Sequence, residues 1–371
     1  MLRSTNFWET EFKIPLLKMD HGFLKEEGIE KIIKRASNWK DIAGLKSEDI
    51  KTIEYGTEKP EEIFVLDAER TFSTADNKAR LVKILTYLKK QFGDYQQGFS
   101  FVTSFMMLTL PEEENIAIML KINSMLPGYW KHEAIDYGIS ALTFNNILQK
   151  IFPEISVHLQ KNLIQPETFC SKWFLGLFVH LLPFRYLFQF MEKFLAGGVV
   201  YLYKFGLGLM EVLKSRILAT DNVNVIYALL RLDSPEIKDE DFQKITDAAE
   251  KYDLSKFDLE AIGKQVYELH LKSRIEKAHQ VHAKVEEIPD CQWCYDDFPE
   301  LYCIQCKQLV CQACIDDYAD DHDHDDSHKT VDMDEFETNK SKYPLKNTEK
   351  EEEEGSEDEL EQLDMKKLEI K

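Results

Sequence analysis

The chain has 371 residues, of which 44% are hydrophobic, and a formal net charge of −21. This length accommodates two domains or one large core with appendages, because single cores stop growing near about 250–300 residues. No segment is basic enough to follow a phosphate backbone, so the composition argues against a nucleic acid partner.

The N-terminal segment, residues 1–19, lacks the uninterrupted apolar core and the small-residue cleavage site of a signal peptide. We therefore expect a cytoplasmic protein. In a reducing compartment, cysteines that cluster in sequence point to metal binding rather than to disulfides.

Residues 20–278 contain few glycines or prolines, and their apolar residues recur at spacings of three and four. This pattern predicts an all-α domain of amphipathic helices. One helix is predicted over Arg80–Phe92, with an apolar stripe on one face. Another is predicted over Asn115–Leu126, where Pro111 and the acidic run Glu112–Glu114 suit the start of a helix.

Between Trp173 and Leu213 the apolar residues nearly surround the helix axis, which predicts helices at the centre of the domain. Pro183 and the pair Gly197-Gly198 mark bends or turns there. Cys170, isolated in an apolar neighbourhood, is interpreted as a core residue rather than a nucleophile.

The stretch from Trp173 to Tyr203 resembles a membrane span in composition. Arg185, Glu192 and Lys193 interrupt it below the roughly 18 residues that a span requires. We therefore expect buried helices and no transmembrane segment, with at most peripheral membrane association.

The C-terminal part changes character. Glu236–Leu271 predicts polar amphipathic helices, and the highly charged connector Lys272–Glu287 is predicted to extend them as a helix. Residues 279–290 are assigned as a charged linker. Residues 291–332 carry 11 acidic and 2 basic side chains, and residues 333–371 carry 14 and 7. The last segment has little to bury, which predicts a disordered acidic tail.

Two short motifs stand out in the helical region: Phe64–Thr71, with the sequence FVLDAERT, and Tyr95–Gly98, with the sequence YQQG. Taken alone, the first fits an ordinary ion pair between Asp67 and Arg70 on one helix, and the second fits the first turn of a helix. In this order and spacing the two motifs resemble the paired motifs of TBC-domain proteins, the GTPase-activating proteins for Rab-type GTPases.

Further segments carry the same resemblance, which covers roughly residues 20–275: Arg35 and Trp39 in an R-x-x-x-W pattern, LPGYW at Leu126–Trp130, and Trp173–Phe178. There are two departures. Phe64 stands where the family has isoleucine, and the segment Phe190–Gly198, FMEKFLAGG, differs from the corresponding family helix.

The resemblance implies a Rab GTPase-activating protein of vesicle trafficking that is not itself an enzyme. Arg70 and Gln97 would act in trans on GTP, which the partner GTPase carries together with Mg²⁺. Asp67 would hold the Arg70 guanidinium, Tyr95 would fix the loop, and Gly98 would let the backbone approach the nucleotide. The partner would recruit the chain to vesicle or organelle membranes. The alternative is a non-catalytic adaptor that binds a GTPase passively.

A second cluster follows the helical region. Three C-x-x-C pairs precede several histidines, and each pair is suited to hold a zinc ion with two thiolates. The spacing resembles a B-box zinc finger, which would bind two structural zinc ions and an unidentified protein partner.

The resemblance implies interleaved sites in residues 291–332. One ion would be held by Cys291, Cys294, Cys311 and Cys314, and the other by Cys303, Cys306, His324 and His328. His322 or a nearby aspartate is an alternative to His324. A RING domain is disfavoured because only three C-x-x-C pairs are present.

Overall fold

The computed structural model describes residues 21–57, 59–96, 98–277, 291–293, 299–318 and 327–345. The chain divides into two compact units, Met1–Arg274 and Ile275–Lys371. The described part of the first unit consists of the helices α1 His21–Glu27, α2 Ile29–Ala36, α3 Trp39–Ile42, α4 Glu62–Thr71, α5 Ala75–Phe92, α6 Phe99–Met107, α7 Glu112–Met125, α8 Ile135–Ile151, α9 Pro153–Lys161, α10 Pro166–Cys170, α11 Phe184–Leu218, α12 Val223–Leu230, α13 Asp239–Lys251 and α14 Leu259–Val266. Shorter turns complete it: a 3₁₀ helix at Ser47–Asp49 and π-helical turns at Ser171–Leu175 and Tyr267–Leu271.

The all-α expectation for this region is confirmed. α5 buries the side chains of Leu81, Ile84, Leu85 and Leu88, as the apolar stripe predicts. α7 begins directly after Pro111, with three glutamates in its first turn. Negative charge is favoured at that end of the helix because the unpaired backbone N–H groups there carry partial positive charge.

The centre of the first unit is formed by the π-helical turn Ser171–Leu175, the turns after it and α11. Trp173, Phe178, Phe190 and Phe205 are at most 1% exposed. The Phe178 ring lies 5.1 Å from that of Phe190 and 4.9 Å from that of Phe205, both in edge-to-face geometry. The aromatic residues therefore form one continuous core, as predicted for this segment.

α11 follows Pro183 and bends at Gly198, whose φ of 58° and ψ of −145° are not helical. It is the one helix among the described residues that is long and apolar enough to cross a membrane by length and composition. More than half of its most apolar stretch is buried inside the protein. Contact with neighbouring helices thus accounts for its apolar composition.

α11 packs closely against α13. A Cβ on Gly208 would lie 2.6 Å from the Ile245 carbonyl oxygen and 2.9 Å from the Ala249 nitrogen, so only glycine permits this backbone approach. Farther along the same pair, the Arg216 guanidinium lies 2.8 Å from the buried Asp241 carboxylate. These contacts hold the polar amphipathic helix α13 on the core.

The described part of the second unit contains a small antiparallel sheet of β1 Leu301–Cys303, β2 Gln308–Val310 and β3 Thr330–Asp332, in the order β2-β1-β3. Tyr302 pairs with Leu309 on one side and with Val331 on the other. Helix α15, Gln312–Tyr318, follows β2, and helix α16, Met333–Thr338, follows β3.

The folded module extends beyond its predicted end at residue 332. Phe336 of α16 and Tyr343 are buried, and their rings lie 4.9 Å and 5.4 Å from that of Tyr302. The Tyr302 hydroxyl donates to the Pro344 carbonyl at 2.7 Å. The prediction that disorder begins at residue 333 is therefore wrong for residues 333–345, because these few aromatic residues find an apolar partner in Tyr302.

Several predicted segments lie wholly or partly outside the described residues. The predicted helical extension is present over residues 272–277. The N-terminal segment, the whole charged linker at residues 279–290 and the tail after residue 345 are outside the described part of the chain.

Candidate functional site

Arg70 lies near the end of α4, on the helix face turned to solvent. The same helix buries Phe64, Asp67, Ala68 and Thr71, while Arg70 is exposed. Within the described residues, no hydrogen bond or ion pair involves the Arg70 side chain. The guanidinium is therefore available to an external group.

The Asp67 carboxylate is 3% exposed and accepts a hydrogen bond from the Tyr95 hydroxyl. The sequence predicted that Asp67 holds the Arg70 guanidinium, but no ion pair joins these two side chains in the structure. Burial, and secondly the Asp67 carboxylate, raise the pKa of Tyr95 well above its usual range. The hydroxyl therefore stays protonated and donates to Asp67. Asp67 thus links α4 to the loop before α6.

The Tyr95 ring is held on two sides by aromatic residues. It lies 5.0 Å from the Phe64 ring and 4.9 Å from the Phe99 ring, in edge-to-face geometry. Phe64, the departure from isoleucine, is 1% exposed and acts as an apolar anchor behind Arg70. Tyr95 is therefore fixed by Phe64 and Asp67 of α4 and by Phe99 of α6, as its predicted role in holding the loop requires.

Gly98 precedes α6 with φ 140° and ψ −47°, a conformation that side chains disfavour. A Cβ there would lie 2.8 Å from the Leu175 carbonyl oxygen. The sequence predicted a close approach of this backbone to the nucleotide. The close approach in the structure is to Leu175, because the π-helical turn Ser171–Leu175 packs directly on the loop.

Gln97, the second predicted catalytic residue, lies outside the described residues. Its described neighbours are held in place. The Phe99 N–H donates to the Gln96 carbonyl at 3.4 Å, and the Phe101 N–H donates to the Gly98 carbonyl at 3.1 Å. The chain on both sides of Gln97 is thus tied to the start of α6.

Two contacts that sequence reasoning missed support this loop. The Asp94 carboxylate accepts from the Tyr95 N–H at 2.7 Å and from the His132 N–H at 2.6 Å. The hydrogen bond from His132 is the main reason that the pKa of Asp94 is lowered. The pair Gly93-Asp94 is a local sequence signal for the turn with Tyr95. The partner His132 is 38 residues away, so no local pattern predicts it.

The second missed contact involves Trp130, in the LPGYW segment. Its indole N–H donates to the Leu175 carbonyl at 3.0 Å, and its ring stacks on Phe92 at 5.6 Å. The same carbonyl is the atom that approaches Gly98. Three segments that share the family resemblance therefore meet at Leu175, directly behind the candidate site.

Arg35 and Trp39 stabilise the body behind the site. The Arg35 guanidinium forms two hydrogen bonds with the Glu192 carboxylate, at 2.5 Å and 2.6 Å. Trp39 is fully buried against Phe105 and Phe188. Glu192 belongs to Phe190–Gly198, the segment that departs from the family pattern. This segment therefore holds Arg35 and is distant from Arg70 in sequence.

The second unit contains two groups of metal-binding side chains. The sulfur atoms of Cys291, Cys311 and Cys314 lie within 4.8 Å of one another, and so do the ligand atoms of Cys303, Cys306 and His328. Tetrahedral zinc with Zn–S bonds of about 2.3 Å places its sulfur ligands about 3.8 Å apart. The donor type and spacing therefore fit zinc in both groups.

The individual contacts agree with that fit. His328 Nδ1 lies 3.7 Å from the Cys303 sulfur and 3.3 Å from the Cys306 sulfur. The Cys311 N–H donates to the Cys291 sulfur at 3.3 Å, as is common around metal-binding thiolates. The other predicted ligands, Cys294 and His324, and the alternative His322 lie outside the described residues. Each described group thus offers three ligands.

Cys170 belongs to neither group. It is fully buried in the helical unit, and burial raises the pKa of its thiol well above the usual value. An inaccessible, protonated thiol is a poor nucleophile, which agrees with its interpretation as a core residue.

Comparison with known proteins places this site in a family context. The family model described as the Rab-GTPase-TBC domain matches residues 26–218, more than half of the chain. The Ecotropic viral integration site 5 ortholog of Drosophila melanogaster is 25% identical over 203 residues, which are 50% of this chain and 25% of the relative. The Rab GTPase-activating protein eat-17 of Caenorhabditis elegans is 26% identical over 164 residues, 44% of this chain and 18% of the relative.

Among solved structures, the chain is similar to the TBC domain of Skywalker/TBC1D24 from Drosophila melanogaster. The identity is 16% and the TM-score 0.45, with 71% of this chain and 99% of that chain covered. The chain spans only a quarter or less of the length of these two curated relatives.

Proposed function

The chain belongs to the Rab-GTPase-TBC domain family, and on that premise we propose that it activates GTP hydrolysis by a Rab-family small GTPase. Arg70 and Gln97 act in trans on GTP and Mg²⁺ that the partner carries. The chain thereby serves vesicle trafficking and intracellular protein transport as a GTPase activator, not as a hydrolase in its own right.

The chemistry accounts for both residue types. Negative charge develops on the transferring phosphoryl group and the leaving oxygen during GTP hydrolysis, and the attacking water must be held in line. The Arg70 guanidinium supplies delocalised positive charge and several donors in a fixed geometry. The Gln97 carboxamide accepts a hydrogen bond from water and donates one to a phosphate oxygen.

One observation carries the proposal. Arg70 is exposed at the end of a helix whose opposite face is anchored through Asp67 and Tyr95 to the loop that contains Gln97. A long cationic side chain without a described partner, on a rigid element beside a fixed loop, suits insertion into the nucleotide site of another protein.

The test is phosphate release from a panel of GTP-loaded Rab proteins. The full chain is expected to accelerate hydrolysis by at least one of them, and Arg70→Ala to lower that rate by about 10³-fold or more. Arg70→Lys retains charge without the fork of donors and is expected to restore little activity. Gln97→Ala is expected to reduce the rate as well.

Arg231→Ala is the matched control, because Arg231 is an exposed arginine that follows α12. It is expected to leave the rate unchanged. If no Rab responds, or if the Arg70 and Gln97 variants behave like this control, the chain is a non-catalytic adaptor instead.

We further propose that the second unit holds two structural zinc ions and binds another protein. Cys291, Cys294, Cys311 and Cys314 would hold one ion, and Cys303, Cys306, His324 and His328 the other. The fit of the described donors to tetrahedral zinc supports this assignment. The chain would act in the cytoplasm and reach vesicle or organelle membranes through its partner.

A further inference from the structure

The loop that contains Gln97 is short and is held at both of its ends. α5 closes at Gly93, which has the left-handed conformation and donates its N–H to the Lys89 carbonyl at 2.8 Å. α6 begins at Phe99. Asp94 is the first residue after the helix end, so its contacts determine how the chain enters the loop.

The turn that Asp94 contacts, Lys131–Ala134, has a defined shape. The Ala134 N–H donates to the Lys131 carbonyl at 3.0 Å, and Ala134 has a φ of 44° and a ψ of 37°. Left-handed geometry is uncommon for a residue other than glycine, and it persists where the surrounding structure enforces it. His132 is the second residue of this turn, so its N–H takes no part in the hydrogen bond that closes the turn.

Two buried aromatic residues just before the turn anchor it to the core. The Trp130 ring stacks on Phe92, and its indole N–H donates to the Leu175 carbonyl. Tyr129 is buried as well, and its hydroxyl donates to the Ser140 hydroxyl. The turn is therefore held on the helical core from its N-terminal side.

The Asp94 carboxylate connects the loop to this turn. Its Oδ1 accepts the Tyr95 N–H at 2.7 Å, and its Oδ2 accepts the His132 N–H at 2.6 Å. Hydrogen bonds to a charged carboxylate are stronger than those between neutral groups. Asp94 therefore fixes the backbone at Tyr95, two residues before Gln97, relative to the turn.

Tyr95 is thus held at both ends of the residue. Its hydroxyl donates to Asp67 and sets the loop against α4, the helix of Arg70. Its N–H donates to Asp94 and sets the loop against the turn. These two constraints together fix the position of Tyr95 and the direction in which the chain continues to Gln97.

We propose that Asp94 is a positioning residue for Gln97, an inference that rests on the proposed function. By holding the Tyr95 and His132 N–H groups together, its carboxylate places the Gln97 carboxamide against the water that attacks GTP. The turn Lys131–Ala134 thereby takes part in GTPase activation through its backbone. A displacement of about 1 Å in a group that acts on the transition state costs about 10²-fold in rate, so a loss of this link is measurable.

The first test is Asp94→Ala in the full chain, assayed with the GTP-loaded Rab that responds most strongly in the panel. Its kcat is expected to fall by roughly tenfold to a hundredfold while KM stays within about twofold, because the lost interaction is made in the transition state. Asp253→Ala is the matched control. Asp253 is an exposed aspartate after α13 that accepts the Ser255 N–H at 2.9 Å, and its loss is expected to leave kcat unchanged.

The second test removes the other partner of the contact. His132→Pro deletes the N–H donor, and proline is favoured at the second position of a turn, so kcat is expected to fall as in Asp94→Ala. His132→Ala keeps the N–H, and its kcat is expected to exceed that of His132→Pro by roughly tenfold or more. Amide hydrogen exchange at Tyr95 gives a readout without any GTPase and is expected to be faster in Asp94→Ala than in the wild type.

The third test separates positioning from a purely structural role. In the Gln97→Ala background, Asp94→Ala is expected to change the remaining rate by less than about twofold, because the group that it positions is already absent. A structural aspartate would instead lower the rate by the same factor in both backgrounds.

The outcomes distinguish this inference from the proposed function. Wild-type kcat in Asp94→Ala, equal losses in the two His132 variants, or additive losses with Gln97→Ala would each overturn the positioning role alone, if Arg70→Ala still abolishes activation. If no Rab responds, or if Arg70→Ala and Gln97→Ala keep the wild-type rate, the proposed function is wrong and the positioning role falls with it.

Discussion

At the scale of single residues, the candidate site depends on what Asp67 contacts. A buried carboxylate requires a partner, and the Tyr95 hydroxyl provides it in preference to the arginine one helical turn away. The consequence is that Arg70 remains unrestrained by α4 itself. Its freedom suits a side chain that must enter another protein.

Double-mutant cycles test whether Asp67 interacts with Tyr95 or with Arg70. Asp67→Asn and Tyr95→Phe are expected to couple by about 0.5–3 kcal/mol in the free energy of unfolding, because each removes one partner of the same hydrogen bond. Asp67→Asn and Arg70→Ala are expected to couple more weakly than that pair, because no described hydrogen bond or ion pair joins these two side chains although they lie one helical turn apart. Urea denaturation measures both cycles. Strong coupling in the Arg70 cycle would contradict the contact pattern described above.

At the scale of elements, the loop between α5 and α6 is held by backbone geometry as well as by side chains. Gly98 sits where the π-helical turn Ser171–Leu175 presses on the loop, and Trp130 bonds the same Leu175 carbonyl. The positions of Tyr95 and Gly98, on either side of Gln97, relative to α4 therefore depend on segments far apart in sequence.

Gly98→Ala tests this dependence. The new Cβ combines a disfavoured φ of 140° with a 2.8 Å contact to the Leu175 oxygen. Strain of this kind costs about 1–3 kcal/mol, so both Tm and GTPase activation are expected to fall.

Gly93→Ala is the comparison, because Gly93 also has a positive φ, 79°, but a Cβ there meets no atom within 4 Å. It is expected to destabilise the protein by the cost of the left-handed conformation alone, about 1–2 kcal/mol, and to retain activation. Equal activity losses in the two variants would show that the contact with Leu175 has no role.

At the scale of the whole molecule, the two units differ in how they are stabilised. The first has an extensive hydrophobic core that runs from Phe23 to Leu254. Among its described residues, the second has two small clusters of buried side chains, one around Cys291 and Trp293 and one around Tyr302 and Phe336. On the proposed two-zinc assignment, bound metal would supply the folding energy that so little buried apolar surface does not.

Metal content and chelation test this difference. The purified chain is expected to contain about two zinc ions, and a strong chelator is expected to unfold the second unit while the helical circular dichroism signal of the first remains. Cys303→Ser is expected to reduce the content to about one zinc. Cys170→Ala changes a cysteine outside both groups and is expected to leave it at two. One zinc or none in the wild-type chain would contradict the two-site assignment.

The sequence by itself determined the features that depend on local pattern. Apolar spacing predicted the helices and the central position of residues 173–213, and the D-x-x-R motif predicted Asp67 and Arg70 one turn apart on one helix, but not that Asp67 faces the interior. Cysteine spacing predicted the segment in which two groups of side chains that could hold a metal ion come together. These predictions hold because the spacing of apolar residues along a helix determines which face is buried.

The tertiary structure alone decided which distant groups meet. The Asp67–Tyr95 hydrogen bond, the contact of Gly98 with Leu175 and the packing of Phe336 on Tyr302 each join groups from separate segments. No local pattern encodes such pairs. They follow from how whole helices pack, since a buried polar or aromatic group takes the partner that packing brings within reach.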